Sequence, residues 1–373
     1  MELRTVEAIP VEVGVRPLDE RGGIAPYRYG HGTVESSARM LVRVETADGT
    51  AGWGELNPPL SPAATKAVIE TDVADAVVGR QVWETGAVGR EFDWVDPYMP
   101  NNPALGAVEM AMWDAYGRAI GQPVHRLLGG KCRETVPFAA CLGILDPERA
   151  REKARELRAM GFSTLKLKGG RDWRDDVERL RAVHGVVGDE MDLRIDPNQN
   201  WSVGETLQAV ARLETAGVDL QYVEQPIAVG QPRALASLRS RLRTPVAVNE
   251  DAYVPDRLDA LVDADAVDAA VVDLVPAGGL GGLARLAPLA AARGVSLTHH
   301  NSFDFGIKTA AVVHAVASTP AYDLPPDTTY YALADRLIAD PFAFADGALS
   351  VPDDPGLGVT VDREAVERHR VSL

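Results

Sequence analysis

Residues 193–201 read Leu-Arg-Ile-Asp-Pro-Asn-Gln-Asn-Trp, a pattern typical of a short buried strand that ends in a carboxylate. The Pro-Asn pair after Asp196 predicts a turn, and Ser202 followed three residues later by Glu205 predicts the capping box of a helix. A strand that carries one polar side chain at its carboxyl end is the arrangement from which parallel α/β enzymes build a site. The stretch therefore predicts an α/β fold with its chemistry at the strand ends.

The same pattern recurs along the chain at intervals of 23 to 28 residues. Each interval is long enough for one strand, one helix and two loops, and each holds a run rich in Ala, Leu and Arg that favours a helix. Together with a first strand at 138–142, these units predict a modified (β/α) TIM-type barrel. The polar residues at the predicted strand ends are Lys168, Asp196, Glu224, Asn249, Asp273, His300 and Asp323.

Composition and charge limit the function classes. The chain of 373 residues exceeds one ordinary domain, and its net charge of −16 is unfavourable for binding nucleic acid or anionic lipid. The first residues do not resemble a signal peptide, and no apolar run is long enough to span a membrane. The two cysteines, Cys132 and Cys141, match no metal spacing or disulfide framework. We expect a cytoplasmic homo-oligomer that acts on a small molecule, with neither nucleic acid nor membrane as a partner.

The N-terminal third differs from the repeats. Alternating apolar and polar residues at 5–15 and 40–46 predict two antiparallel strands. Between them, residues 19–33 are rich in glycine and carry Tyr27, Arg28, Tyr29 and His31. Such a segment is either a mobile lid over a site or a solvated surface loop, and the sequence leaves both readings open.

We therefore divide the chain into three parts. The first is an α+β capping domain at 1–130, with the lid at 19–33. The second is the catalytic (β/α) barrel at 131–325. The third is a C-terminal segment at 326–373, which we expect to pack back on the capping domain and complete it.

Alternation along each strand decides which side chains face the barrel axis. The Leu, Ile and Val residues should pack against the surrounding helices, so the polar residues between them point inward. By this rule Asp196, Glu224 and Asn249 face inward at three consecutive strand ends, whereas Glu250 lies one position further on. Each alone is equally well explained as a loop residue or a helix cap, but an all-oxygen set suits Mg²⁺. We predict Asp196, Glu224 and Asn249 as Mg²⁺ ligands, with Glu250 as an alternative.

Two lysines and a histidine complete the inward set. Lys166 and Lys168 alternate on one strand, and two neighbouring cations lower each other's proton affinity, which favours a lysine that acts as a general base. His300 follows Asp273 by one repeat, which predicts a pair in which the carboxylate orients the imidazole. Considered alone, each lysine could be an ordinary solvated residue, and His300 could be a structural histidine. We predict Lys168 and His300 as catalytic bases, supported by Asp273 and Lys166.

These residues resemble the enolase superfamily over nearly the whole chain. Its members join an α+β capping domain, completed by the C-terminal tail, to a modified barrel. The alternate lysines and the His300–Asp273 pair are similar to the mandelate racemase group, and Asn249 as third ligand is similar to the glucarate dehydratase branch. The motifs that carry the resemblance are Lys166-Leu-Lys168, Glu224-Gln-Pro226, Asp196-Pro-Asn198, Leu167-Lys-Gly-Gly170, Trp201 and the segments at 107–114 and 355–358.

The resemblance implies Mg²⁺-dependent removal of a proton α to a carboxylate, through an enediolate intermediate. Loss of a β-hydroxyl as water would then convert an acid sugar to a 2-keto-3-deoxy acid, and His31, Asn198 and Asn301 are candidate contacts to this substrate. The first alternative is a racemase or epimerase of a 2-hydroxy acid or related carboxylate. The second is a non-catalytic protein that keeps the fold for metal-dependent binding.

Overall fold

The computed structural model describes residues 1–58, 61–92, 103–170, 172–253, 255–301 and 303–373. No helix in these ranges is long and apolar enough to cross a membrane. The strands are β1 Leu3–Gly14, β2 Tyr27–Tyr29, β3 Gly32–Val34, β4 Ser36–Thr46, β5 Ala51–Leu56, β6 Thr135–Pro137, β7 Ala139–Leu142, β8 Thr164–Lys168, β9 Asp192–Asp196, β10 Leu220–Glu224, β11 Val246–Val248, β12 Ala269–Val272, β13 Ser296–His299, β14 Asp327–Thr328 and β15 Ala348–Ser350. The α-helices are α1 Pro62–Val68, α2 Ala74–Val77, α3 Thr85–Phe92, α4 Pro103–Ala119, α5 Val124–Leu127, α6 Pro147–Ala159, α7 Trp173–Val187, α8 Val203–Thr215, α9 Pro232–Arg239, α10 Pro255–Asp263, α11 Leu280–Arg293, α12 Ile307–Ser318 and α13 Arg363–His369.

The N-terminal sheet is antiparallel and has the order β1-β4-β5. Helix α4 packs on β5 at a distance that two glycines of the strand permit. A Cβ atom at Gly54 would lie 2.0 Å from the Ala107 carbonyl oxygen, and one at Gly52 would lie 2.1 Å from that of Ala111. A side chain at either position would therefore push the helix off the sheet.

The barrel sheet runs in the order β13-β12-β11-β10-β9-β8-β7-β14, and the paired strands are parallel. The predicted α/β class and the TIM-type barrel are confirmed. Strands β8 to β13 lie where the repeat predicted them, and β8, β9 and β10 end at Lys168, Asp196 and Glu224. Asn249, Asp273 and His300 each follow directly after a strand.

The final strand of the barrel corrects the sequence prediction. Asp323 does not end a strand; its carboxylate accepts hydrogen bonds from the Ser296 hydroxyl and the Leu297 backbone N–H, near the start of β13. The eighth strand is Asp327–Thr328, which pairs with β7. The segment 326–373 therefore begins with the last strand of the barrel sheet.

Strand alternation separates two apolar environments. The Leu, Ile and Val residues predicted to face outward belong to the large core shared with the helices, as Leu165, Leu167 and Ile195 illustrate. A second, smaller cluster of Tyr222, Ala247, Ala269 and Val271 comes from the alternate positions of three strands. The alternate positions thus carry a small apolar cluster together with the polar groups of the site.

The segment at 19–33 contains the hairpin β2–β3, which packs on loops at the carboxyl ends of barrel strands. The Ile144 backbone N–H, beyond β7, donates to the Arg28 carbonyl at 2.7 Å. A Cβ atom at Gly30 would lie 2.0 Å from the Asn200 amide nitrogen beyond β9. The hairpin therefore lies against the rim of the barrel.

The tail beyond β14 contacts the N-terminal residues at several points. The Leu357 backbone N–H donates to Asp114 in α4 at 2.7 Å, and the Val124 N–H donates to the Gly356 carbonyl at 2.9 Å. Helix α13 packs on β1, where Val11 and Arg370 form an antiparallel bridge. These contacts tie the end of the chain to its beginning.

Candidate active site

The barrel strands bring most of the predicted side chains to one end of the sheet. Lys166 and Lys168 extend from β8, Asp196 from β9 and Glu224 from β10. All four are buried, with Lys168 the most exposed at 9%. Because parallel strands present their carboxyl ends at the same edge, residues 28 positions or more apart in sequence meet there.

Lys166 is the centre of this cluster. Its Nζ donates to Glu224 Oε1 at 2.6 Å and to Asp327 Oδ2 at 2.8 Å, and lies 3.4 Å from Asp196 Oδ2. Burial alone would lower the pKa of Lys166, but the three carboxylates raise it well above its ordinary value. The carboxylates, rather than Lys168, therefore dominate the proton affinity of Lys166. Lys166 is a fixed cation.

Lys168 pairs with Asp196. Its Nζ donates to Asp196 Oδ2 at 2.5 Å, and the Asn198 backbone N–H donates to Asp196 Oδ1 at 2.9 Å. Burial would raise the pKa of Asp196, but Lys168 and Lys166 hold it well below its usual range. Asp196 is therefore ionised, as a ligand for a hard cation must be.

Glu224 differs from Asp196 although both are fully buried. Burial, reinforced by Asp196 and Asp327, raises the pKa of Glu224 to about 8, and Lys166 offsets only part of this. Its Oε2 atom is buried and has no hydrogen-bond donor among the residues that the structure describes. A buried acceptor with no donor, on a group that needs more positive charge to ionise, is suited to bind a cation.

The donor set around Glu224 fits an oxygen-binding ion. Asn198 Oδ1 is also buried without a hydrogen-bond partner in the described ranges. Within those ranges, no three His, Cys, Asp or Glu side chains converge in a metal-binding arrangement. A cation here would therefore need amide oxygen in addition to Asp196 and Glu224, and Mg²⁺ accepts such ligands together with water.

The structure gives both candidates for the third ligand a polar environment. Asn249 Oδ1 accepts a hydrogen bond from the Tyr253 hydroxyl at 3.1 Å, and its amide nitrogen donates to the Val271 carbonyl at 2.7 Å. One lone pair of Oδ1 thus remains available. Glu250 is half-buried, and its Oε2 atom has no hydrogen-bond partner in the described part of the chain. Each side chain can therefore offer an oxygen atom to a cation.

His300 and Asp273 form the predicted pair on the opposite part of the barrel mouth. His300 Nδ1 lies 3.1 Å from Asp273 Oδ2, and the His300 side chain is 17% exposed. The same carboxylate oxygen accepts from Lys308 Nζ at 3.0 Å. Burial would raise the pKa of Asp273, but Lys308 and His300 hold it far below its usual value. Asp273 thus orients the imidazole through Nδ1, so that Nε2 is the nitrogen assigned to proton transfer.

The three predicted substrate contacts lie at two places. Exposed His31, at the tip of the hairpin, has its Nε2 atom 2.6 Å from the Asn198 carbonyl oxygen. Asn198 adopts a positive φ of 48°, which asparagine tolerates, and this turns the chain directly after β9. Asn301 is buried, and its Oδ1 atom accepts a hydrogen bond from the Thr329 hydroxyl at 3.4 Å. His31 and Asn198 therefore meet, whereas Asn301 lies beside the end of β14.

The hairpin also lines a cavity of about 710 Å³. Its walls come from residues 28–33, from the loop after β7 and from the region after β8 that begins at Gly170. Charged groups of both signs line it, among them Arg28, Asp146 and Asp172. The cavity is therefore suited to a polar molecule.

Sequence reasoning missed three residues of this region. Asp327 binds both Lys166 and Arg194, but it lies in a two-residue strand after Pro325-Pro326, where no apolar run marks a strand. Lys308 and Asp304 lie near Asp273, with Lys308 inside the apolar helix α12. The signal available for Lys308 was one charge within an otherwise buried helical run.

Comparison with known proteins agrees with this architecture. Residues 12–129 match the protein family "Mandelate racemase / muconate lactonizing enzyme, N-terminal domain". Residues 149–365 match the family "Enolase C-terminal domain-like". The crystal structure of an enolase from Streptomyces coelicolor superimposes with a TM-score of 0.89 at 30% identity, covering 99% of this chain and 96% of that one.

Curated relatives carry the names of three reaction types. Muconate cycloisomerase 1-1 of Acinetobacter lwoffii is 30% identical, over 92% of this chain and 92% of its own. The L-Ala-D/L-Glu epimerase of Bacillus subtilis is 26% identical over 90% and 92%, and the D-gluconate dehydratase of Thermoproteus tenax is 30% identical over 90% and 70%. The residues matched and these identities support one conclusion. The chain belongs to the mandelate racemase / muconate lactonizing enzyme family of the enolase superfamily.

Proposed function

We propose that this protein is a Mg²⁺-dependent dehydratase of an acid sugar. The observation that carries the proposal is the pairing of two proton-transfer groups, Lys168 and the His300–Asp273 pair, with the carboxylates Asp196 and Glu224 at one end of the barrel. Residues at the carboxyl ends of barrel strands are where such enzymes carry out chemistry. A dehydratase among the relatives supports the choice of reaction.

The proposed reaction begins with a weakly acidic proton α to a carboxylate. Asp196, Glu224 and Asn249 would hold Mg²⁺, which when bound supplies positive charge to the substrate carboxylate as the enediolate forms. Lys166 adds a fixed positive charge beside these ligands. The chain's own cations thus help to lower the barrier to ionisation.

Lys168 and His300 then divide the proton transfers. They extend from β8 and from the end of β13, which are separated by β7 and β14 around the barrel. One base removes the α-proton, and the other donates a proton to the departing β-hydroxyl, which leaves as water. The resulting enol becomes a 2-keto-3-deoxy acid. Asn198, His31 and Asn301 are proposed to bind the hydroxyl groups of the substrate.

Racemisation or epimerisation is the second candidate, and the same pair of bases favours it. If Lys168 and His300 face opposite sides of one carbon, one removes the proton and the other returns a proton to the opposite face. An epimerase also occurs among the relatives. The two candidates differ in whether a leaving group is present on the β-carbon.

Solvent deuterium incorporation tests the proposal and separates the candidates. The protein with Mg²⁺ is incubated in D₂O with a library of aldonic and aldaric acids, and product is assayed with semicarbazide. A semicarbazide-reactive keto acid supports dehydration, whereas deuterium at the α-carbon without keto acid supports racemisation. Absence of both across the library would contradict an enzymatic role and favour a binding protein.

Variants assign the bases. Replacement of a general base typically reduces the rate by about 100-fold or more, so Lys168→Met and His300→Asn should each lose exchange on this scale. Lys131→Met, a lysine that pairs with Glu134 and Asp353 away from the barrel mouth, is the matched control. Equal rates in Lys168→Met and in the control would refute the role of Lys168.

Mg²⁺ titration calorimetry without substrate tests the ligand set. Glu224→Gln should weaken Mg²⁺ binding by about 10-fold or more, because a buried carboxylate oxygen is lost. Asn249→Ala and Glu250→Gln, measured side by side, decide the third ligand, and we expect the larger loss in Asn249→Ala. Glu134→Gln is the control at an exposed carboxylate.

A further inference from the structure

Lys308 occupies a position where lysine is rarely found. It lies in the first turn of α12, where residues 307–317 are all buried, and the lysine itself is only 3% exposed. A buried ammonium group is strongly destabilising unless carboxylates surround it. The partners of Lys308 therefore explain why the fold retains it.

Those partners include the carboxylate that orients His300. Lys308 Nζ lies 3.0 Å from Asp273 Oδ2, the same oxygen that lies 3.1 Å from His300 Nδ1. A second carboxylate oxygen, Asp304 Oδ2, lies 3.4 Å from Lys308 Nζ. Burial would lower the pKa of Lys308, but Asp273 and Asp304 raise it, so the group is a permanent cation.

The backbone of Lys308 is held in place as well. Its N–H donates to Glu55 Oε2 at 3.0 Å, and the Phe305 N–H donates to Glu55 Oε1 at 2.6 Å. Glu55 belongs to β5 of the N-terminal sheet, and its Oε1 atom lies 3.9 Å from Nε of Arg39 in β4. Lys308 is thus anchored at both ends, by its N–H to the N-terminal sheet and by its Nζ to the barrel.

Lys308 changes the net charge beside His300, because both side chains contact Asp273 Oδ2. Without Lys308, the imidazole would lie against a negative carboxylate, which stabilises a proton on it. With Lys308, the carboxylate and the ammonium together are neutral, so a proton on His300 is released more easily. A group that must both take up and give away a proton at neutral pH benefits from this balance.

We propose that Lys308 is a positioning residue that holds Asp273 ionised and sets the pH at which His300 gains and loses its proton. This inference rests on the proposed role of His300 in the reaction. Lys308 does not touch the substrate in this proposal and acts through Asp273. The expected consequence of losing its charge is that His300 holds its proton to a higher pH.

Four other titratable groups near His300 and Asp273 keep their charge state across the neutral range. Burial lowers the pKa of His299 to about 3, so His299 stays neutral, and its Nε2 atom accepts from the Leu274 N–H. The cations Lys166 and Arg194 outweigh burial and keep the pKa of Asp327 low. Burial raises the pKa of Tyr253 and Tyr322 above the usual value. The remaining groups nearby are Arg39, Asp304 and Glu55. Of these, Glu55 does titrate in the neutral range, because burial and the neighbouring Asp304 raise its pKa to about 7. Its carboxylate accepts from the backbone N–H of Lys308, a contact that Lys308→Met and Lys308→Arg both keep, so the comparison of these two variants isolates the side-chain charge.

The expected shift of the His300 titration midpoint follows from the distance between His300 and Lys308, which both contact Asp273 Oδ2. Two unit charges about 6 Å apart, at the effective dielectric near a protein surface, correspond to a shift of about two pH units. Solvent reaches the partly exposed His300 and reduces this, so we expect a shift of about one pH unit.

The test measures His300 directly by NMR in the Mg²⁺-loaded protein without substrate. The imidazole carbon signals of ¹³C-histidine-labelled protein are followed against pH, and His300→Asn identifies the His300 signal. In Lys308→Met, the titration midpoint of His300 should move up by about one unit. Lys308→Arg, which keeps the charge, should restore the original midpoint. Lys308→Gln, which keeps a hydrogen-bond donor to Asp273, provides the same readout if Lys308→Met does not fold.

Deuterium exchange against pH is the second readout. The acid limb of the rate profile should move up by the same amount in Lys308→Met and return in Lys308→Arg. An unchanged NMR midpoint in both uncharged variants would overturn the inference, whatever substrate is found. A shifted midpoint in a protein that exchanges no acid in the library would instead contradict the proposed function and leave the charge coupling intact.

Discussion

Replacement of Asp327 by Asn tests the charge cluster on which the site is built. Asp327 is fully buried, with Oδ2 2.8 Å from Lys166 Nζ and Oδ1 3.2 Å from Arg194 Nη1. Asparagine keeps the shape and one acceptor oxygen but removes the charge. The variant therefore leaves two buried cations with one anion fewer.

The magnitude follows from what each cation retains. Removal of one partner from a buried ion pair costs about 3–5 kcal/mol. Lys166 still has Glu224 and Asp196, so its loss is moderate. Arg194 retains the Gln221 side-chain oxygen and the Pro325 carbonyl, which are neutral acceptors. We therefore expect Asp327→Asn to lower the free energy of unfolding by about 3 kcal/mol, at the lower end of that range.

Urea unfolding at pH 7, followed by both tryptophan fluorescence and far-UV circular dichroism, measures this loss. Coincident transitions from the two probes support a two-state treatment, and an unchanged slope shows that the midpoint reports stability. The matched control is Asp353→Asn, an exposed aspartate that pairs with Lys131, for which about 0–1 kcal/mol is expected. If Asp327→Asn were no more destabilised than this control, the cluster would not depend on an ionised Asp327.

Two further variants probe the lid hairpin and a buried histidine. In Gly30→Ala the new methyl group would clash with the Asn200 side chain, so the hairpin should pack less closely on the barrel. We expect KM to rise several-fold while the midpoint of urea unfolding stays unchanged. An unchanged KM would contradict the role of the hairpin as a lid. His314 is buried, which lowers its pKa to about 4, so it is neutral in the folded protein while the unfolded chain binds a proton below about pH 6.5. Stability from this group is present above pH 6.5 and lost as the pH falls toward 4, at up to about 1.4 kcal/mol per pH unit. His314→Asn can still accept the His125 backbone N–H, so its free energy of unfolding should fall less between pH 7 and 5 than that of the parent; equal losses would show that His314 does not contribute.

The sequence alone was sufficient to predict the barrel strands that carry regular patterns. Strand β9 illustrates the reason: Leu193 and Ile195 alternate with Arg194 and Asp196, so the apolar residues mark the outer face and the polar ones the inner face. Period-two alternation is a local property, and the repeat length records one strand and one helix. Lys166, Lys168, Asp196 and Glu224 could therefore be assigned to one end of the barrel before their contacts were known.

Tertiary structure decided what local patterns do not encode. Asp327 lies in a strand of two residues that forms because β7, almost 190 positions earlier in the chain, offers it a partner. The charge of Lys166 depends on three carboxylates from three other strands, which raise its pKa despite its burial. Lys308 reaches Asp273 because Glu55, from the far N-terminal sheet, holds the start of α12 in place. The proton affinity of a side chain depends on the charges that lie close to it in space. The reactive groups could therefore be identified in the sequence, whereas their charge was determined only by the folded structure.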